Sequence, residues 1–141
     1  MQFKLSQRVA AGADAVFAHV GDFRQAIPWA RVASCRVHGE GAGTWREVTF
    51  ADPARGRIVE CLLSRDPDTR AISWRLAQAE PAWPVRDCVT TLRVVTVLAD
   101  VSRLESESRF TPDGLPELAL RAWLEDLHQQ ALDAIRCALR G

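Results

Sequence analysis

The last part of the chain carries one long amphipathic pattern, and this pattern limits what the preceding residues can fold into. Between residues 115 and 140, apolar side chains recur at steps of three and four, and no glycine or proline follows Pro116 until Gly141. This spacing predicts a helix of about 25 residues with one apolar side. The apolar positions are Leu118, Ala122, Leu127, Ala131, Ala134, Ile135 and Ala138.

The residues before this helix follow a hydrophobic period of two, interrupted by clusters rich in glycine, proline and aspartate, which is typical of strands joined by turns. Asp14 is the predicted N-cap of a short helix over 15–20, and a second helical piece is predicted over 23–26, before Pro28. The predicted strands are 2–10, 32–39, 44–50, 57–64, 71–77, 85–98 and 101–111.

Connections of hairpin length predict an antiparallel sheet, and such a sheet commonly buries one face. The long helix is the one predicted element able to cover that face. Because sheets twist, a straight helix leaves space against the sheet. The sequence therefore predicts an α+β fold: a curved antiparallel sheet of about seven strands around a C-terminal helix, with a ligand cavity between them.

Composition narrows the function classes. The 141 residues form one predicted domain, and 18 basic against 18 acidic side chains give no electrostatic basis for binding nucleic acid or an anionic membrane. No apolar run is long enough to span a bilayer. The four cysteines and three histidines lack metal-ligand spacing, so we expect neither metal nor cofactor. Free cysteines and the absence of a signal peptide favour the cytoplasm.

Several local motifs occur in an order that resembles the START/Bet v 1-like (SRPBCC) superfamily, in particular its bacterial polyketide cyclase/dehydrase-like members. The resemblance covers nearly the whole chain, 1–141. The motifs are AVFAHVGDF at 15–23, Pro28-Trp29, GAGTWR at 41–46, VECL at 59–62 with Asp66 and Arg70, residues 84–92, and Phe110-Thr111-Pro112.

The resemblance implies a helix-grip fold that binds apolar or amphipathic small molecules between the sheet and the last helix. Hormone receptors of this superfamily anchor a ligand carboxylate with a lysine before a Ser-Cys pair. Here Ala33 precedes Ser34-Cys35, so this anchor is missing.

In the family pattern, alternate strand residues face the cavity. Arg46, Glu60, Arg86 and Glu105 would then form its polar end by pairing with one another, because unpaired buried charges are costly. The alternative is a register shifted by one residue, which would turn these charges to solvent. The full predicted ligand-binding set is Arg46, Val48, Phe50, Glu60, Leu62, Trp74, Leu76, Trp83, Arg86, Cys88, Glu105 and Leu127.

Two functions remain open from the sequence. One is a carrier or sensor of a hydrophobic or amphipathic small molecule, lipid-like or polyketide-like, with Phe50, Leu62, Trp74 and Trp83 as the cavity wall. The other is a polyketide cyclase, dehydratase or small hydrolase, with Glu60 or Glu105 as acid or base. On the sequence alone, Glu60→Leu should alter ligand preference and leave the fold intact.

Overall fold

The computed structural model describes residues 1–25, 31–41 and 43–140. Within them, seven strands form one antiparallel sheet, with the first and last strands of the chain adjacent and the second strand at the far edge. The elements are β1 (Gln2–Val9), α1 (Ala13–Val20), β2 (Val32–His38), β3 (Trp45–Phe50), β4 (Arg57–Asp66), β5 (Ala71–Glu80), β6 (Val85–Leu98), β7 (Val101–Pro112) and α2 (Glu117–Arg140). The predicted helix-grip fold is confirmed.

Helix α2 buries its apolar stripe against the sheet and packs nearest to β1 and β7. Strands β3 to β5 lie farther from α2 than β1 and β7 do. Among the described helices, none combines the length and the hydropathy needed to cross a bilayer. The buried stripe of α2 is Leu120, Leu124, Leu127, His128, Ala131, Leu132 and Ile135.

Two predictions around α1 are wrong. The N-cap position of α1 is occupied by Gly12, and Asp14 lies in the first turn, where its carboxylate accepts from Arg70 Nε at 2.8 Å. The second helical piece is not found in its described part: residues 23–25 form a turn, in which the Asp22 carboxylate accepts from the backbone N–H of Arg24. An aspartate that bonds a nearby backbone N–H favours a turn over a helix.

Ala26, the Pro28-Trp29 motif and Ala42 of the glycine-rich turn lie outside the described residues.

Strand β6 contains a bulge near its start. Three steps along β6, from Arg86 to Val89, oppose two steps along β7, and Asp87 has φ +51°. A bulge places one extra residue in a strand and reverses the alternation on one side of it. As a result Val85 and Cys88 both face inward, while Arg86 and Asp87 face solvent.

Candidate functional site

A small cavity lies between the middle of the sheet and α2, with a volume of about 20 Å³. Its wall is apolar and aromatic at one end and polar at the other. This volume is enough for about one water molecule and far below the several hundred Å³ of a typical ligand site. The described lining residues are Glu60, Trp74, Leu76, Trp83, Val85, Cys88, Thr90, Ser108, Trp123, Leu124, Leu127 and His128.

The polar end is formed by Thr90, Ser108 and His128, and Ser106 contacts His128 without bordering the cavity; we call these four uncharged side chains the hydroxyl–imidazole cluster. His128 Nδ1 lies 2.8 Å from Ser106 Oγ, and His128 Nε2 lies 3.2 Å from Ser108 Oγ. Ser108 Oγ is in turn 2.9 Å from Thr90 Oγ1. These bonds tie α2 to β7 and β7 to β6 across the interior of the protein.

Burial sets the protonation of the ionisable members of this region. Desolvation lowers the pKa of His128 to about 4, so the imidazole is neutral at neutral pH. Desolvation also raises the pKa of the neighbouring Cys88 thiol to about 11, with a smaller contribution from the Glu60 charge. Both groups therefore act as uncharged hydrogen-bonding groups under physiological conditions.

Glu60 belongs to a second buried polar group, which we call the ionic pair. Arg46 and Glu60 are direct partners across β3 and β4, and Arg46 Nε donates to Glu60 Oε1 at 2.8 Å. Arg46 Nη1 also donates to the carbonyls of Phe23 and Gln25, and the guanidinium lies 4.1 Å from the centre of the Phe23 ring. Each side chain is 1% exposed, so the pair survives in the interior through these multiple contacts.

The apolar end is closed by aromatic side chains. Trp83, in the connection between β5 and β6, meets Trp123 of α2 edge-on, with ring centres 5.2 Å apart. Outside this pair lies a vestibule of about 160 Å³, lined in part by Arg55, Asp126 and Leu127. Arg55 Nη2 donates to Gln130 Oε1 at 2.8 Å, which joins the β3–β4 loop to α2. The two tryptophans separate the cavity from this vestibule.

The predicted site residues divide into three groups. Glu60, Trp74, Leu76, Trp83, Cys88 and Leu127 line the cavity. Arg46, Val48, Phe50 and Leu62 are on the inner face but do not border the cavity: Val48 and Phe50 pack with Ile58, and Leu62 packs against the main core. Arg86 and Glu105 lie outside.

The expected positions of Arg86 and Glu105 are corrected by the structure. Arg86 faces solvent because of the bulge in β6, and pairs with Asp113. On β7 the inward positions belong to serines, Leu104 and Phe110, so Glu105 points outward beside Arg103. Of the four charged residues predicted for the polar end, Glu60 lines the cavity and Arg46 is its buried partner.

A wider groove of about 600 Å³ lies on the outer face of the sheet. Three of its charged residues pair at the surface, with Arg109 and Lys4 on either side of Glu107. Hydrogen bonds from Arg109 and Gln2 lower the pKa of Glu107. Because this groove is open and charged, it is poorly suited to enclose an apolar molecule.

The sequence reasoning missed the hydroxyl–imidazole cluster and Trp123. The available signal was positional: His128 falls within the apolar stripe of α2, and Ser106 and Ser108 alternate with the charged residues of β7. Small hydroxyls that alternate with charges indicate that the charges face water. Within the described residues, no set of three His, Cys, Asp or Glu side chains is arranged to hold a metal ion.

The fold agrees with comparisons to known proteins. The family described as "Polyketide cyclase / dehydrase and lipid transport" matches residues 1–140. A search of curated proteins finds no match.

Solved structures with the same fold include an uncharacterised protein from Bacillus thuringiensis, at 19% identity and a TM-score of 0.87, with 100% of both chains covered. Protein XoxI from Bacillus cereus has 19% identity and a TM-score of 0.83, and a protein from Nitrosospira multiformis has 16% and 0.79. Each of these two matches covers 97% of this chain and 94% of the other.

Proposed function

The chain belongs to the polyketide cyclase / dehydrase and lipid transport family, and we propose that it binds a hydrophobic or amphipathic small molecule between the sheet and α2. The observation that carries the proposal is the division of the cavity into an aromatic end and a hydrogen-bonding end. Such a division suits a ligand with an apolar body and one polar group. A lipid-like or polyketide-like molecule has this character.

Binding requires the cavity to enlarge. A volume of about 20 Å³ cannot hold such a ligand, and the vestibule lies directly beyond Trp83 and Trp123. We propose that Trp83 moves outward when the ligand enters, since it lies on a loop and Trp123 is fixed on a helix. The ligand would then occupy the cavity and the vestibule as one site.

A dye titration with two matched variants tests the location. Leu127→Phe adds volume where the cavity meets the vestibule, and Leu118→Phe makes the same change on the same helix at a position that is 84% exposed. A neutral apolar dye should bind wild type and Leu118→Phe equally, and Leu127→Phe at least about 10-fold more weakly. Equal binding by all three proteins would place the site elsewhere. Mass spectrometry of co-purifying molecules identifies the natural ligand.

A second candidate function is acid–base catalysis by a cyclase, dehydratase or hydrolase. It is favoured by one observation: a carboxylate, Glu60, and a neutral imidazole, His128, line the same cavity. A neutral imidazole can accept a substrate proton at neutral pH. Turnover of a polyketide-like substrate that is lost in His128→Gln, with the dye still bound, would support catalysis; no turnover would leave the binding function alone.

The proposal includes a cytoplasmic protein without nucleic-acid partners. The four cysteines are free thiols, which supports a reducing compartment.

A further inference from the structure

We infer that the ligand presents a neutral hydroxyl or carbonyl group to the hydroxyl–imidazole cluster, and that the cavity discriminates against carboxylates. This inference rests on the proposed function and specifies the ligand class of the same site. It follows from the charges around the cavity and from the direction in which its hydrogen bonds can run.

The first argument is the sign of the charge at the cavity wall. Of the lining residues that the structure describes, Glu60 alone carries a formal charge, and no lysine or arginine is among them. Arg46 is not among the lining residues: its guanidinium lies 4.1 Å from the centre of the Phe23 ring and 5.4 Å from that of Trp74, and donates to Glu60 and to the carbonyls of Phe23 and Gln25. Positions 26–30 and 42, which are outside the described residues, have uncharged side chains.

A ligand carboxylate in this cavity would therefore meet a second carboxylate before it met a cation. Burying an ion without a countercharge is unfavourable, and a like charge nearby adds to the cost. A neutral head group avoids both the cost of burying an ion and the repulsion by Glu60, and it can still form the hydrogen bonds.

The second argument is that the cluster can reverse its hydrogen bonds. With the proton on His128 Nδ1, that nitrogen donates to Ser106, Ser108 donates to Nε2, and Thr90 donates to Ser108, which leaves a Thr90 lone pair for a ligand hydroxyl. With the proton on Nε2, every bond in this chain reverses and Thr90 can donate to a ligand carbonyl. The distances of 2.8, 3.2 and 2.9 Å allow both directions. The neutral state of the imidazole is what makes the reversal available.

The opposite orientation has a specific candidate anchor. A carboxylate ligand could place its tail in the cavity and its charge beside Arg55 in the vestibule. However, Arg55 already donates to Gln130, and Asp126 lines the same vestibule and accepts from the Gln130 amide. In the vestibule, a ligand carboxylate would therefore meet the Arg55 guanidinium together with the Asp126 carboxylate.

The test is displacement of N-phenylnaphthylamine, a neutral apolar dye, by three probes with the same ring system: naphthol, acetylnaphthalene and naphthoate. At neutral pH we expect naphthol and acetylnaphthalene to displace the dye at least about 10-fold more effectively than naphthoate. Thr90→Val keeps the shape of the side chain and removes its hydroxyl, and should weaken both neutral probes by about 3- to 10-fold. The matched control is Ser102→Ala, which removes a buried hydroxyl of β7 that donates to Ala11 O outside the cavity.

The outcomes separate the two proposals. If the dye does not bind, or binds Leu127→Phe as well as wild type, the proposed function fails. If the dye binds in the cavity but naphthoate displaces it as well as naphthol does, the inference on ligand class is overturned. Loss of that naphthoate binding in Arg55→Gln would show that the ligand lies in the reverse orientation. Equal probe affinities for Thr90→Val and wild type would also overturn the inference.

Discussion

The interior of this protein contains two buried polar groups built on different principles. The ionic pair on β3 and β4 holds full charges that are compensated by each other and by backbone carbonyls. The hydroxyl–imidazole cluster on β6, β7 and α2 holds no charge and is connected only by neutral hydrogen bonds. Charges that depend on fixed partners stabilise one arrangement, whereas neutral groups can exchange a partner for a ligand. We therefore assign the ionic pair to the fold and the cluster to recognition.

The largest effect on stability is expected when one member of the ionic pair is removed. Glu60→Leu leaves the Arg46 charge in the interior without its carboxylate, and we expect a loss of about 3–5 kcal/mol in the free energy of unfolding. The sequence-based expectation that this substitution leaves the fold intact is therefore revised. Urea unfolding measures the effect.

The control is the double variant Arg46→Met/Glu60→Leu, which removes both charges. It should recover much of the lost stability, because apolar replacement of a whole buried pair is often tolerated. A double variant no more stable than Glu60→Leu would show that the Arg46 contacts to Phe23 and Gln25, and not the charge pairing, provide the stability.

Acid provides the corresponding test of the cluster. The pKa of His128 is lowered from 6.5 to about 4 by burial, so the unfolded chain takes up a proton at a higher pH than the folded chain does. Stability is therefore fully present above about pH 6.5 and is lost as the pH falls toward 4, by up to about 3 kcal/mol. Glu60 is the charged residue described at the cavity wall beside this histidine.

Unfolding measured between pH 7 and about pH 5.5 reports mainly on this histidine, since carboxyl groups titrate mainly below that range. In His128→Gln the slope over this interval should become clearly smaller. An unchanged slope would assign the acid sensitivity to another group.

Single hydroxyl deletions should have smaller effects. Ser106→Ala removes the partner of His128 Nδ1 and should cost about 1 kcal/mol in thermal or urea unfolding. Ser108→Ala should cost a similar amount and, in addition, weaken binding of a neutral probe. A loss as large as that of Glu60→Leu would remove the distinction between the two polar groups.

The smallest effects are expected on the outer face. Arg86→Gln and Glu105→Gln break exposed pairs with Asp113 and Arg103, and each should change stability by no more than about 0.5 kcal/mol. Neither should alter binding of the neutral dye. A clear change in dye affinity in either variant would show that the substituted residue contributes to the binding site.

The fold could be predicted from the sequence because it depends on long periodic patterns. The seven strands follow from the alternation of apolar and polar residues, and α2 follows from apolar residues spaced by three and four. Both patterns extend over many residues, so the packing of many side chains stabilises each element. The ionic pair could also be predicted, since Arg46 and Glu60 each lie two residues from apolar side chains, Val48 and Ile58, and so share the inward face of their strands.

The remaining side chains of the site are placed by local deviations that the hydrophobic pattern of the sequence does not show. The direction of Arg86 depends on one extra residue in β6, and the inward side of β7 is occupied by serines that composition alone would place at the surface. His128 is polar, and only its position among apolar neighbours on α2 indicates burial. Local deviations of this kind are where sequence reasoning most often loses strand register.

The bulge in β6 shifts the inward–outward alternation of the strand by one residue. A regular strand alternates between the two faces, so losing one residue normally exchanges the faces of everything on one side of the loss. Here Arg86 and Val89 oppose Thr111 and Arg109, which makes Asp87 the surplus residue. Deleting Asp87 should restore an unbroken alternation in which Val85 and Cys88 still face inward and Arg86 still faces solvent. Chains that differ by this one residue can therefore share the same interior, although a residue-by-residue reading of their strands would assign the beginning of β6 to opposite faces.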